Sequence, residues 1–244
     1  GIVWAGYVDL TGGTGDEINW STWTAGQSVA LSALTAAGAD GSVGSITGGF
    51  FDVEILTGSG DLGDPDFTLT GLAAGNSTWV IDGTDDGTYR TTLAFNDFDN
   101  LNGNVANDIF DFNGGSISGT LDGDDGTNTL DFATHGSAVT VTITDLGGTT
   151  DADGLAVGFE GFGSVIGAFD NITDLIGSDL GDTLTGDDAD ATWDITNTDD
   201  GTYTDTLSSR ALDYTNIANL TGGSAADTFD FANSGSVTGN IDGG

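Results

Sequence analysis

Residues 101–112 read LNGNVANDIFDF and residues 220–231 read LTGGSAADTFDF, one phrase written twice, 119 positions apart. In each copy two Phe residues flank an Asp: Phe110 and Phe112 around Asp111, Phe229 and Phe231 around Asp230. A period of two sends the rings to one face and the carboxylate to the other, the pattern of a half-buried strand. Working outward, GSITGGFFDVEILTGS (44–59) returns as GSVIGAFDNITDLIGS (163–178) at the same offset. TWVIDGTDDGTY (78–89) returns as TWDITNTDDGTY (192–203) at 114, and SISGTLDGD (116–124) as SVTGNIDGG (236–244) at 120. SVALSAL (28–34) sits against AVTVTIT (138–144) at 110. The chain is two copies of a unit of roughly 110–120 residues. Residues 1–43 form a divergent partial repeat, 44–162 repeat unit 1, and 163–244 an incomplete unit 2. The 1–43 phase of a next copy would complete that second unit. Tyr7–Gly13 resembles both the stretch around Leu121–Asp124 and Asn240–Gly244, so the chain starts and stops near one point of its repeat. That phase predicts a slice of a longer array or copies joined end to end.

A shorter period runs inside the unit. An apolar residue, any residue, then Gly recurs at Leu10–Gly12, Leu56–Gly58, Leu69–Gly71, Leu101–Gly103, Leu121–Gly123, Leu184–Gly186, Leu220–Gly222 and Ile241–Gly243. Several spacings fall near 20 residues, about one coil of a solenoid whose coils bury their apolar faces only against each other. Val139, Val141 and Ile143 alternate with Thr, as strand residues do. Gly and β-branched residues interrupt every candidate helix. The Ala- and Leu-containing stretch Ser28–Ala37 is read as strand through its match to the second unit. The expected fold is all-β, a right-handed parallel β-solenoid; the alternative is two tandem β-sandwich domains.

Composition narrows function. Of 244 residues 39 are Asp or Glu, against Arg90 and Arg210 alone as cations, for a net charge of −37. Phosphate-backbone and anionic-membrane binding both need basic side chains, so neither is expected. No apolar run approaches the ~20 residues of a helical span. Cys is absent, which removes disulfides, Cys zinc sites and thiol nucleophiles; His135 is the single His. A disordered acidic tail would be poor in aromatics, whereas this chain has 13 Phe, 5 Trp and 4 Tyr.

Stretches such as LIGSDLGDTLTGDDADATWDIT (175–196), LTGGSAADTFDF (220–231) and SGTLDGDDGTNTLDF (118–132) resemble the strand repeats of giant bacterial surface and secreted proteins, the large adhesins and filamentous-haemagglutinin-like proteins. The resemblance implies a bacterial extracellular or cell-surface stalk, fibre or adhesive module without catalysis. A second, partial likeness is to the RTX calcium nonapeptide. Residues 222–230 keep Gly222, Gly223, Asp227 and Phe229, with Ala225 in place of the third Gly. Residues 103–111 keep Gly103, Asp108 and Phe110, and 177–185 keep Gly177, Asp182 and Leu184. This likeness implies Ca2+ beside Asp108, Asp182 and Asp227, although the motifs here are isolated rather than tandem.

Clustered hard oxygens suit Ca2+ in their own right. In TTDADGLAVGFE (149–160), Asp151, Asp153, Gly154 and Glu160 stand at positions 3, 5, 6 and 12 of an EF-hand-type loop, with Thr149 where Asp would open it. The TDDG pair, Asp85–Asp86 and Asp199–Asp200, reads either as a cation site or as an Asx-turn ending in Gly. Trp79 and Trp193 read either as sugar-stacking rings or as core. A β-helix carbohydrate-active enzyme or glycan-binding module is the alternative to a structural subunit, and 39 acids supply carboxylate pairs by chance. The expected partner is the chain itself, end to end, with calcium as a stabiliser.

Overall fold

The computed structural model describes residues 6, 8–59, 67–146 and 158–244. Among them there is no helix, and the fold is all-β, built of two large sheets. The chain passes from sheet to sheet. β1 (Val8–Asp9) lies in the first and β2 (Glu17–Asn19) in the second; β3 (Ser28–Thr35), β4 (Gly38–Val43) and β5 (Ile46–Val53) then form an antiparallel meander in the first. β6 (Ile55–Thr57) follows in the second sheet and β7 (Thr68–Thr70) in the first. A second meander, β8 (Ser77–Ile81), β9 (Gly87–Tyr89) and β10 (Leu93–Asn96), belongs to the second sheet. Single strands alternate through β11 (Asn100–Asn102), β12 (Asp108–Phe112), β13 (Ile117–Asp122) and β14 (Thr129–Asp131), beginning in the first sheet. The third meander, β15 (Thr140–Leu146), β16 (Phe159–Gly163) and β17 (Ile166–Ile172), returns to the first sheet. β18 (Asp174–Ile176) and β19 (Thr183–Thr185) lead to the fourth, β20 (Ala191–Asn197), β21 (Asp200–Asp205) and β22 (Ala211–Thr215), in the second. β23 (Asn219–Thr221), β24 (Thr228–Phe231) and β25 (Ile241–Asp242) end the chain, first, second and first sheet respectively.

Pairing between meanders is parallel, and its register turns the apolar-x-Gly triplets into columns. Leu69, Leu101, Leu121 and Phe169 are successive neighbours, as are Val141, Leu184, Leu220 and Ile241. All but Ile241, at the sheet edge, are buried. At about 1.5–3 kcal/mol per buried side chain, these columns are a main source of cohesion. Phe110 and Phe112 join the same core while Asp111 faces outward, as the period-two reading required. The irregular spacings also have a cause: between Leu121 and Phe169 the chain lays down β14 and the first two strands of a meander. Two details differ from the sequence reading. Val8, not Leu10, holds the leucine position of its triplet, because Val8 pairs with Phe50. And since Val29 faces Leu69 while Val141 faces Leu184, Val141 takes Val29's place, a two-residue shift that keeps the same face inward.

The meanders share a device that the paired repeats hid. In the middle strand of each, or just before it, stands an acidic residue followed by Gly: Asp40–Gly41, Asp86–Gly87, Glu160–Gly161 and Asp200–Gly201. An aromatic ring from the third strand lies on each Gly: Phe50, Phe95, Phe169 and Tyr214. Two residues after each ring stands Asp52, Asp97, Asn171 or Asn216, all at φ between 55° and 58°. Asp and Asn enter this left-handed region more easily than other side chains. One rule therefore underlies FFD, FND, FDN and YTN.

Candidate functional site

The acids singled out in the sequence are dispersed through this framework. Asp85 and Asp199, both buried and at φ near 60°, open the TDDG turns. Asp85 accepts hydrogen bonds from the Ser118 amide (2.7 Å) and hydroxyl (2.8 Å); Asp199 accepts from the Thr238 amide (2.7 Å) and hydroxyl (2.6 Å). Each carboxylate thus fastens its turn to a later segment, Ser118 in β13 or Thr238 ahead of β25. Burial raises the Asp85 carboxyl above its usual range, opposed by the two Ser118 bonds. Asp86 and Asp200 accept the amides of Asp97 (2.9 Å) and Asn216 (3.1 Å), holding the left-handed residues in place. These are structural turns. Asp199→Ala should lower stability by about 2–4 kcal/mol, from two charge-assisted bonds and a strained φ. Asp199→Asn should cost about half as much; equal losses in denaturant unfolding would contradict this.

The RTX-like acids occupy a related slot. Asp108 and Asp227 each lie over the Gly five residues earlier; a methyl on Gly103 would come within 2.6 Å of Asp108 Oδ2, and one on Gly222 would meet Asp227 Oδ2. Asp182 bears the same relation to Gly177, at 2.8 Å, and Asn128 to Gly123 through Nδ2 at 2.5 Å. Asp182 is wholly buried and already accepts from the Ser178 amide (2.6 Å), the Ser178 hydroxyl and the Val139 amide (2.6 Å). Asp108 is also wholly buried, but neither carboxylate oxygen has a partner of hydrogen-bonding geometry. Burial pushes its carboxyl up to about 7, only partly opposed by nearby Ser77, Trp79 and Arg90. Arg90 does not pair with it directly: its guanidinium donates to Ser77 Oγ (3.0 Å) and to the carbonyls of Ala74 (3.0 Å) and Gly75. Asp227, just before the edge strand β24 and less enclosed, is raised by the same burial effect.

Glu160 lies in β16, in the slot that Asp40, Asp86 and Asp200 fill in the other meanders, flanked by strands on both sides. Asp40–Gly41 therefore corresponds to Glu160–Gly161. Asp151 and Asp153 lie outside the described residues. Among the described residues, no three His, Asp or Glu side chains gather to hold an ion. Asp182 is saturated by its own chain and Asp108 is enclosed. Trp79 and Trp193 are wholly buried, stacked on Phe110 (5.9 Å) and Phe229 (5.4 Å), and cannot receive a sugar ring. His135 sits half-buried in a turn with its ring edge-on to Phe132 at 6.3 Å.

No family model, curated protein or solved structure matches the chain. Function must be argued from its surface. There the parallel register sets carboxylates directly opposite one another: Asp111 and Asp131, Asp174 and Asp213, Asp194 and Asp230, Asp122 and Asp170. Opposed like charges destabilise a sheet. The missed signal was register: each member of these pairs occurs in an ordinary strand context, and only the ladder brings them together.

Proposed function

We propose that the chain is a non-enzymatic structural module of a bacterial extracellular fibre or cell-surface adhesin, folded as a β-solenoid and propagated end to end by strand stacking. The observation that carries this reading is that both sheets contain strands from both repeat units, joined mostly in parallel register around buried columns. Such an architecture grows along one axis without changing its cross-section. At ~4.8 Å per strand, sheets of 13 and 12 strands extend about 60 Å. The acidic surface keeps rods soluble and discourages sideways association. Small-angle scattering should give an elongated particle about 60 Å long, and electron microscopy at high protein concentration should show unbranched thin filaments. A compact globule that never assembles would overturn the reading.

The opposed carboxylates make the rod a polyelectrolyte. Raising NaCl from about 10 to about 500 mM should raise the melting temperature by several degrees, because a Debye length of about 3–30 Å spans the pair spacing. At fixed ionic strength EDTA should leave the melting temperature unchanged. A fall on EDTA would show a specifically bound divalent ion.

A further inference from the structure

Asn followed by Gly occurs twice in the chain, at Asn102–Gly103 and Asn113–Gly114. The dipeptide carries its own chemistry. The amide nitrogen of the second residue can attack the side-chain carbonyl carbon of the first, and Gly, without a Cβ, leaves the backbone freest to bring them together. The folded chain treats its two sites in opposite ways. Asn102 lies in β11 and is pinned at both ends of its side chain: Nδ2 donates to Asp122 Oδ2 (3.2 Å) and Oδ1 accepts the Asn104 amide (3.0 Å). The attacking nitrogen is occupied as well, because the Gly103 amide donates to the Asp122 carbonyl (2.8 Å). Gly103 is buried, with no room for movement beside Asp108.

Asn113 and Gly114 stand in the turn after β12, and both are exposed. Among the described residues, nothing hydrogen-bonds to the Asn113 side chain or to the Gly114 amide. Gly114 has open space around it: a methyl there would meet only the His135 carbonyl oxygen, at 3.9 Å. The peptide link between Asn113 and Gly114 is therefore free to turn, whereas the link between Asn102 and Gly103 is locked into the ladder.

We propose that Asn113 is a site of spontaneous deamidation, with water as the co-reactant, and that the fold protects Asn102. The Gly114 amide nitrogen bonds to Asn113 Cγ and gives up its proton. The Cγ–Nδ2 bond breaks, and Nδ2 takes the proton and leaves as ammonia. The product is a cyclic succinimide, which water opens on either side of the ring nitrogen. Cleavage of the bond to Cγ gives aspartate. Cleavage of the bond to the main-chain carbonyl carbon gives isoaspartate, in which the chain runs through Cγ. No atom is oxidised or reduced. Both products bear on the fold. Each adds a negative charge two residues from Asp111, which already stands opposite Asp131. Isoaspartate also lengthens the backbone just ahead of Gly115 and Ser116, whose amides donate to the carbonyls of Ile81 (3.3 Å) and Gly83 (2.9 Å) and tie this turn to the second meander.

The test incubates the full chain at mildly alkaline pH, folded and in denaturant, and maps its peptides by mass spectrometry. In the folded chain Asn113 is expected to become a mixture of aspartate and isoaspartate at least about tenfold faster than Asn102 reacts, because reaction at Asn102 requires the ladder to open locally. In denaturant the two should convert at similar rates, since the dipeptide is the same. Asn113→Gln, whose longer side chain would have to close a larger ring, should remove most of the ammonia released by the folded chain. Equal rates at Asn102 and Asn113 in the folded chain, an Asn113 that converts only in denaturant, or undiminished ammonia release from Asn113→Gln would each overturn the proposal.

Discussion

Replacing Gly87 by Ala is expected to lower stability by about 3 kcal/mol or more, and Gly161→Ala by a similar amount. Neither Gly has a left-handed φ, so the usual entropic effect would make Ala stabilising by about 0.4–1 kcal/mol. Close approach reverses the sign. A methyl on Gly87 would collide with the Val80 carbonyl oxygen and lie 2.6 Å from Phe95 Cζ; on Gly161 it would collide with the Thr142 carbonyl oxygen and lie 2.6 Å from Phe169 Cζ. In each meander the ring and two backbones crowd one missing side chain, and a ring wedged against a carbonyl has nowhere to move. Gly243, where a methyl would meet nothing within 4 Å, serves as the control, and Gly243→Ala should be neutral. Denaturant midpoints measure all three. Equal midpoints for Gly87→Ala and Gly243→Ala would show that the ring does not rest on the glycine.

Asp108→Asn is expected to stabilise the protein at pH 8, by about 2 kcal/mol. The folded-state carboxyl is raised to about 7, above the ~4 of an unfolded chain. A raised pKa means that the folded form binds the proton more tightly. Stability from this group is therefore complete below pH ~4, declines as pH climbs toward 7, and is flat above. Asn cannot ionise, so the variant should lose that part of the slope and exceed the parent at pH 8 while matching it near pH 4. The fold already accommodates the exchange: Asn128 fills the corresponding slot above Gly123, donating to the carbonyls of Asp124 (3.2 Å) and Asn171 (3.0 Å). Asp85, Asp97 and Asp111 are also raised chiefly by burial, so the parent's slope has several contributors and the variant should flatten it without abolishing it. Thermal melts from pH 4 to 8 decide the matter, and an unchanged slope in Asp108→Asn would contradict it.

Much of the fold was legible because parallel stacking repeats its own pattern. Leu101 and Leu121 lie twenty residues apart and are direct neighbours, so the column could be read from spacing alone. The meanders were not legible in that way. They insert strands of different lengths between neighbours, as between Leu121 and Phe169, and their signature is a Gly in one strand matched to a ring in another. That relation crosses the sheet and leaves no period in the sequence. The acids were harder still. Asp108 and Asp182 look alike as text, each following a Gly by five residues, yet Asp182 is saturated by Ser178 and Val139 while Asp108 is enclosed beside Ser77 and Trp79 with neither in good hydrogen-bonding geometry. Composition marks a carboxylate; only the later strand that passes beside it decides whether it is a clasp, a ligand or a buried acid.

The order of strands within the meanders bears on how the molecule would respond to tension. In the second sheet β22 lies against β18, with β21 and β20 stacked beyond it, although β22 comes last of the three in the chain. Drawing on the carboxyl end would free β25, β24 and β23 in turn and then reach β22, still roofed by two strands. The amino end meets the same obstacle at β3, separated from β1 by β4 and β5. Peeling one strand at a time is thereby blocked from either side. Pulled from its ends, the folded chain should yield in abrupt steps, each releasing a whole meander of three strands at once.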